Sequence, residues 1–167
     1  MSITGVRIGQ GFDIHRFSDD PNRPLVLGGV TFEGVRGLEG HSDADAIAHA
    51  CADALLGAAG LGDIGQHFPD TDPQWKGVDS LKLLDHVAKL VRAQGWVIGN
   101  IDCSVVCEQP KLAPRREEMQ QKLATVTGAP VSVKGRRAEG LGALGRQEGI
   151  ACWAVAVIFQ VENRSEV

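Results

Sequence analysis

The sequence contains no tyrosine, and aromatic residues make up only 5% of its 167 residues. Nucleic-acid bases stack on aromatic side chains, so this composition gives no sign of a base-stacking surface. Positive charge is not in excess either, because 17 lysines and arginines stand against 21 aspartates and glutamates, for a net charge of -4. We therefore expect no nucleic-acid partner.

Two further features are missing from the chain. No stretch approaches the ~18 consecutive apolar residues of a membrane-spanning helix. The N-terminal segment lacks the basic and apolar regions of a secretory signal. These absences predict no membrane partner and a cytoplasmic location.

Cysteine is scarce, and its spacing fits neither a zinc ribbon nor a disulfide scaffold. Small, buried, apolar side chains are the expected role of all four. They are Cys51, Cys103, Cys107 and Cys152.

The chain has enough apolar residues, 43%, to form one globular domain over residues 1–167. Hydrophobic periodicity and turn residues predict an α/β sandwich, in which one mixed sheet is covered by helices on one face. The predicted strands are 6–13, 25–27, 30–32, 96–106, 131–134 and 150–161. The predicted helices are 44–59, 79–95 and 114–126, and the stretch 62–73 reads as a loop.

Histidines beside carboxylates are the most informative feature. Asp13 and His15 lie two residues apart, so on a strand both side chains leave the same face and can bind one ion. His41, Asp45, His49 and Asp53 recur every four residues, which places them along one side of a helix. A solvated helix face, with Ser42 or Asp43 as N-cap, explains the second pattern alone. Because the surrounding helix is mostly apolar, the two segments together favour a zinc-type metal site.

Three other segments carry charge or glycine where a ligand could bind. Asp63, Asp70 and Asp72 lie in the constrained loop 62–73, where they either position a ligand or form turns. Lys111 and the pair Arg136 and Arg137 follow predicted strands, so they either hold phosphates or are solvated surface charges. Arg146 lies among glycines, in a weak pattern for an anion-binding nest.

In order along the chain, RIGQGFDIHRF, LGGV, GHSDADAIAHACADALLGAAGLGDIGQHFPDTDP, KGVDS, QPKLAP and LGALGRQEGIA resemble the 2-C-methyl-D-erythritol 2,4-cyclodiphosphate synthase family. The resemblance spans nearly the whole chain, and the segment from His41 to Pro73 is its most specific part. It implies a homotrimer whose sheets line a central channel and whose active sites lie between subunits. Each site would hold zinc and a second divalent cation, magnesium or manganese.

The implied substrate is a small cytidine diphosphate-linked molecule, 4-diphosphocytidyl-2-C-methyl-D-erythritol 2-phosphate. Such an enzyme converts it to the cyclic diphosphate and CMP in the non-mevalonate route to isoprenoids. Its 2-phosphate attacks the β-phosphorus of the same molecule, so two anionic groups must be neutralised and aligned. Cations at the site meet that need, and no side-chain nucleophile is required.

The resemblance also implies roles for individual residues. Zinc would be bound by Asp13, His15 and His49, and the second cation by Glu139 together with substrate oxygens. His41 and Ser42 would contact the phosphates. The remaining expected substrate contacts are Asp63 and Gly65 at the erythritol unit, Cys107, Lys111 and Leu112 at the cytidine end, and Asp70, Arg137 and Arg146.

This chain departs from the family pattern at three places. Gln10 stands where the family usually has histidine, and Ala143 where it often has phenylalanine. The segment 135–138, Gly-Arg-Arg-Ala, replaces a run of threonines that orients the phosphates. We hypothesise that an arginine of this segment replaces the lost hydroxyl contacts; solvent-exposed arginines are the alternative.

Two other functions stay open at this stage. One is a metal-dependent phosphatase, in which a water molecule would replace the internal phosphate nucleophile. The other is a non-catalytic trimer that binds a nucleotide or an isoprenoid diphosphate. Product analysis distinguishes the first from a synthase, and ligand binding without CMP release would indicate the second.

Overall fold

A computed structural model describes residues 2–162. Its strands are β1 (Ser2–Arg16), β2 (Leu25–Leu27), β3 (Val30–Phe32), β4 (Val97–Val106), β5 (Val131–Arg136) and β6 (Gly149–Glu162). Its helices are α1 (Ala46–Ala59), α2 (Ile64–His67), α3 (Ser80–Ala93), α4 (Arg116–Thr127) and α5 (Gly142–Gly145). Short 3-10 turns cover Pro73–Trp75 and Ala113–Arg115. Within residues 2–162, no helix is both long and apolar enough to cross a membrane.

Four strands form one mixed sheet in the order β1-β6-β4-β5. β6 pairs antiparallel with both β1 and β4, whereas β4 and β5 run parallel. Because β4 and β5 are parallel, their carboxyl ends meet at one edge, so the loops after Val106 and Arg136 become neighbours. The mixed α/β sheet predicted from the sequence is confirmed.

The long helices pack against one face of this sheet, with α1 at the centre. Glycines allow α1 to lie directly on β1. A Cβ atom added at Gly11 would fall 2.0 Å from the carbonyl oxygen of Ala50, and one at Gly9 would fall 2.0 Å from that of Ala54. Both distances are far below van der Waals contact, so only glycine permits this approach. The contact fixes α1 relative to the end of β1.

The opposite face of the sheet is exposed, and its part on β1 and β6 is largely apolar. Along β1 the outward positions include Val6, Ile8 and Phe12, which are 60%, 71% and 43% exposed. Trp153 and Val155 continue this surface on β6, and Trp153 packs against Phe12 with ring centroids 4.9 Å apart. Contiguous exposed apolar surfaces of this kind are typical of contact faces.

Several details differ from the predicted elements. α1 begins at Ala46 instead of Ala44, because the carboxylate of Asp45 caps it by accepting hydrogen bonds from the N–H groups of Ile47 and Ala48. The proposed caps Ser42 and Asp43 therefore lie before the helix, and His41 lies outside it. The predicted loop contains α2, capped by Asp63. β2 and β3 form a separate hairpin sheet. All four cysteines are free and buried, as predicted.

Candidate metal site

Two strand residues and one helix residue converge at the end of β1. The Oδ2 atom of Asp13 lies 2.9 Å from Nε2 of His15 and 3.0 Å from Nδ1 of His49. The two histidine nitrogens are 3.3 Å apart. Asp13 and His15 leave the same face of β1, as their spacing predicted, and the first turns of α1 bring His49 to them. The three residues predicted to bind metal therefore meet in space.

The distances within this cluster fit a small metal ion. Ligand atoms about 2.05 Å from a tetrahedral zinc lie about 3.3 Å from one another. The three observed separations, 2.9, 3.0 and 3.3 Å, are close to that value. One carboxylate and two imidazoles leave a fourth position for a substrate oxygen, the arrangement of catalytic zinc sites. The side chains present therefore suit a divalent cation.

The electrostatics of Asp13 keep it anionic. Burial by itself raises its pKa, but hydrogen bonds and charge from His15 and His49 outweigh burial and lower the pKa to about 2. Burial disfavours the charged form of His15, yet its hydrogen bond and charge interaction with Asp13 leave its pKa raised. A carboxylate that is ionised at neutral pH and lies beside two imidazoles is a strong cation ligand.

The outer nitrogen of His15 is also held in place. Its Nδ1 lies 2.6 Å from the carbonyl oxygen of Glu39, so Nδ1–H donates to that oxygen. In the neutral imidazole, the form that binds a metal, this bond leaves the lone pair on Nε2, the atom that faces Asp13 and His49. Histidine ligands in metal sites are commonly oriented by a carbonyl acceptor of this kind.

A cavity of about 330 Å³ opens beside the cluster. Four of the predicted substrate or phosphate contacts, His41, Ser42, Gly65 and Asp70, line it. Its apolar wall consists of Ile64, Phe68, Trp75 and Leu83. The sequence did not predict this wall, because the first three residues lie in or near the predicted loop and Leu83 is on the core side of α3. The lining residues of this metal cavity are Asp13, His15, Gly40, His41, Ser42, His49, Ile64, Gly65, Phe68, Asp70, Trp75 and Leu83.

Two of the loop aspartates form local contacts. Asp63 caps α2 through a hydrogen bond from the N–H of Gln66 at 3.0 Å, and it is exposed. Asp72 caps the turn at 73–75, and its carbonyl oxygen lies 3.0 Å from Nε2 of His41. Both aspartates therefore make the local turn contacts that the sequence allowed. Asp70 is exposed and lines the metal cavity.

A second, basic cavity lies where β4 and β5 end. The predicted cytidine-end residues Cys107, Lys111 and Leu112 line it, together with Arg136 and Arg137. Burial raises the pKa of the Cys107 thiol to about 11, so this side chain is neutral. Of the residues that the structure describes, none lines both cavities. The full lining is Cys107, Glu108, Pro110, Lys111, Leu112, Ala113, Arg116, Gly135, Arg136 and Arg137.

The last two predicted site residues line neither cavity. Glu139 is exposed in the loop after β5 and has a positive φ of 53°. Arg146 follows α5, and its Nε donates to Glu148 at 2.6 Å. Both side chains are exposed, and the single chain does not bring them to the metal cluster.

Comparison with known proteins identifies a family and relatives for this chain. The YgbB family profile matches residues 6–159. A 2-C-methyl-D-erythritol 2,4-cyclodiphosphate synthase of Synechococcus elongatus is 54% identical over 157 residues, which cover 92% of this chain and 97% of the relative. The bifunctional enzyme IspD/IspF of Anaeromyxobacter dehalogenans is 55% identical over 158 residues, and the chain spans 40% of its length.

Solved structures share the fold. The bifunctional IspDF from Campylobacter jejuni matches with a TM-score of 0.90 and 40% identity, over 96% of this chain and 44% of that one. IspF of Plasmodium falciparum, solved as a CDP complex, matches with a TM-score of 0.82 and 34% identity, over 96% of this chain and all of that one.

Proposed function

We propose that this chain, which belongs to the YgbB family, is a 2-C-methyl-D-erythritol 2,4-cyclodiphosphate synthase. It converts 4-diphosphocytidyl-2-C-methyl-D-erythritol 2-phosphate to the cyclic diphosphate and CMP, as a phosphorus–oxygen lyase in the non-mevalonate pathway. The observation that carries this proposal is the cluster of Asp13, His15 and His49 beside a cavity. Synthase relatives that align over nearly their whole length support it.

The chemistry requires neutralised and aligned phosphates. An oxygen of the 2-phosphate forms a bond to the β-phosphorus, and the bond from that phosphorus to the bridging oxygen of CMP breaks. Zinc held by Asp13, His15 and His49, with a second cation, magnesium or manganese, would offset phosphate charge and polarise the phosphoryl oxygens. Because the nucleophile and the electrophile are parts of one molecule, positioning can supply up to about 7–11 kcal/mol of the acceleration.

The residues around the cluster have proposed roles in positioning. His41 and Ser42 contact the phosphates, and Asp63, Gly65 and Asp70 contact the erythritol unit. The position of His41, Ser42, Gly65 and Asp70 around the metal cavity supports these roles. Glu139 serves the second cation, and Arg146 contacts the substrate from its exposed loop.

The cytidine end of the substrate belongs in the basic cavity. Cys107, Lys111 and Leu112 bind the nucleoside, and Arg137 binds its phosphates. The cations around that cavity support binding of an anionic ligand. The CDP complex of the Plasmodium falciparum IspF supports a nucleotide-linked substrate.

A homotrimer would join the two cavities. The metal cavity and the basic cavity lie apart within one chain, so we propose that each active site combines one cavity from each of two neighbours. The exposed apolar face of β1 and β6 supports assembly, since Ile8 and Trp153 are 71% and 40% exposed there. In this arrangement the sheets line a central channel. We also propose that residues 1–167 form one domain and that the protein works in the cytoplasm.

The two alternative functions have less support. A metal-dependent phosphatase would use the same cluster, but the relatives are named as cyclodiphosphate synthases. A non-catalytic trimer would not need the three ligand atoms to converge, whereas here they lie within 4.8 Å of one another.

Phosphorus NMR tests the proposal directly. The purified chain with zinc and magnesium is expected to convert the diphosphocytidyl substrate to a cyclic diphosphate and an equal amount of CMP. A simple aryl phosphate serves as the control and should stay intact. Release of inorganic phosphate from both compounds would identify a phosphatase, and substrate binding without CMP would identify a non-catalytic protein.

A further inference from the structure

His49 has hydrogen-bonding partners on both ring nitrogens. Its Nδ1 faces Asp13 and His15 in the cluster. Its Nε2 points the other way, to the hydroxyl of Ser80 at 2.8 Å and to that of Ser42 at 3.1 Å. The side chain of His49 is only 11% exposed, so its surroundings are mostly other protein groups.

Ser80 is itself anchored by a carboxylate. Its hydroxyl donates to Oδ1 of Asp43, and its backbone N–H donates to Oδ2 of the same residue at 3.1 Å. Since the hydroxyl proton of Ser80 goes to Asp43, only its oxygen lone pairs are left for His49. The Nε2–H of His49 is therefore the donor in the 2.8 Å contact.

The backbone holds this arrangement rigid. The N–H of Asp43 donates to the carbonyl of Val78 at 3.1 Å, and the N–H of Gly77 donates to the carbonyl of His41 at 2.8 Å. These bonds join the segment before α1 to the segment before α3. Ser80 is 1% exposed and does not line the metal cavity, so it cannot touch a substrate there.

We infer that Asp43 and Ser80 are positioning residues that fix the proton of His49 on Nε2 and so leave the Nδ1 lone pair for the metal. The inference rests on the proposed function, because it concerns the same metal site. Outer partners of metal-binding histidines set the tautomer and the ring angle, and their loss typically weakens metal binding 10- to 100-fold. His15 obtains the same control from a backbone carbonyl.

The two serines would then have different tasks. Ser42 lines the metal cavity, and its hydroxyl accepts the N–H of Ala44 at 3.2 Å. Ser80 is closer to His49 and is hidden from the cavity. Ser80 therefore orients the histidine, which leaves the Ser42 hydroxyl for a phosphate oxygen.

Measurement of zinc affinity distinguishes the proposed roles of Ser80 and Ser42. In chelator competition, with zinc alone as the ligand, we expect Ser80→Ala to bind zinc about 10- to 100-fold more weakly than the unmodified protein. The matched variant Ser42→Ala should keep its zinc affinity within about twofold. Excess zinc should restore turnover in Ser80→Ala but not in Ser42→Ala.

A second variant covers the case in which Ser80→Ala does not fold. Asp43→Asn keeps the size of the side chain but removes its charge, so zinc binding should weaken at least severalfold. Histidine nitrogen NMR of the zinc-loaded protein adds a readout at the Nε2 atom of His49 itself. The Nε2 proton of His49 should exchange slowly in the unmodified protein and rapidly in either variant.

Unchanged zinc affinity in both variants, or equal loss in Ser42→Ala and Ser80→Ala, would overturn the inference. A failure of the proposed function gives another result. If Asp13→Ala binds zinc as tightly as the unmodified protein, the metal site itself is wrong. If Asp13→Ala loses zinc while Ser80→Ala and Asp43→Asn keep it, only the positioning roles are wrong.

Discussion

Nε2 of His15 and Nδ1 of His49 lie 3.3 Å apart although 34 residues separate them in the chain. Different ring nitrogens of the two histidines face each other, because in each residue the other ring nitrogen is hydrogen-bonded to its own acceptor. Nδ1 of His15 is bound to a backbone carbonyl, and Nε2 of His49 to the hydroxyl of Ser80. The site is therefore preorganised by hydrogen bonds outside the ligand set.

Removal of one imidazole should abolish metal binding at the proposed zinc site. We expect His15→Ala to lose stoichiometric zinc and turnover, because two ligands remain where three are needed. The fold should survive, since His15 is at the end of β1 and outside the core cluster. Metal analysis and circular dichroism check both outcomes. His86→Ala is the control, because this exposed histidine is not part of the cluster. Retention of a full zinc equivalent in His15→Ala would exclude it as a ligand.

The contact between β1 and α1 should be intolerant of any side chain. A methyl group at Gly11 would lie 2.0 Å from the carbonyl oxygen of Ala50, so Gly11→Ala must push α1 away from β1. We expect destabilisation of about 1–3 kcal/mol and weaker zinc binding, because His49 moves with the helix. Chemical denaturation and zinc titration measure the two effects.

Gly57→Ala is the matched control for Gly11→Ala. A Cβ at Gly57 would meet only the carbonyl oxygen of Gln10, at an ordinary 3.8 Å. This variant should be as stable as the unmodified protein or slightly more stable, since alanine favours helices. Equal stability of Gly11→Ala and Gly57→Ala would contradict the proposed close packing.

The buried carboxylate of Asp45 should control stability. Its oxygens accept hydrogen bonds from the backbone N–H of Gly28 at 2.8 Å and of Gly29 at 2.6 Å, and it also caps α1. Asp45→Asn removes one acceptor oxygen, so unfolding should become easier by about 1–3 kcal/mol. Asp85→Asn, in an exposed i,i+4 pair with Lys89, is the control and should change stability by about 0–1 kcal/mol.

The same carboxyl group gives a pH dependence with a definite sign. Burial raises the pKa of Asp45 from 3.8 to about 6. Between these values the folded protein retains a proton that the unfolded chain has released, so stability falls as the pH rises through this window. In urea unfolding at several pH values, the stability difference between the unmodified protein and Asp45→Asn should shrink from pH 4 to pH 6. A constant difference would contradict the raised pKa.

Periodicity predicted much of the fold and the shared face of Asp13 and His15, because both depend on local spacing, whereas His49 was singled out as the third ligand by the family resemblance. Asp13 and His15 share a face at two-residue spacing, and α1 follows from its apolar run. The role of Asp45 was not predicted, because the cap depends on a contact with the distant Gly28-Gly29 turn. Ser80 was missed for a similar reason, since nothing in its local sequence indicates that it faces His49.

Mixing of two inactive variants tests the proposed shared active site. His49→Ala removes a proposed metal ligand, and Lys111→Ala alters the basic cavity. If neighbouring subunits each contribute one cavity, mixed and reassembled trimers should regain part of the activity. Light scattering should give three times the 17.8 kDa of one chain. Ile8→Lys, on the exposed apolar face, should weaken assembly. A monomer at micromolar concentration would rule out the proposed trimer.

The arginines at the end of β5 should hold phosphate oxygens. Arg136 and Arg137 both line the basic cavity, and neither forms an ion pair within the part of the chain that the structure describes. A guanidinium group can hold two phosphate oxygens at once. We expect Arg136→Ala or Arg137→Ala to raise the Michaelis constant or lower turnover at least tenfold, a loss of about 1.4 kcal/mol or more.

Conservative variants separate phosphate binding from surface charge at this position. Arg137→Lys keeps the charge but loses the planar fork, so its activity should remain below that of the unmodified protein. A variant with threonines at positions 136–138 should be more active than Arg136→Ala or Arg137→Ala if hydroxyl contacts can replace the arginine. Arg36→Ala, which removes an exposed partner of Asp19, is the control and should leave the kinetics unchanged. Unchanged kinetics in both Arg136→Ala and Arg137→Ala would mean that this pair is only a solvated surface charge.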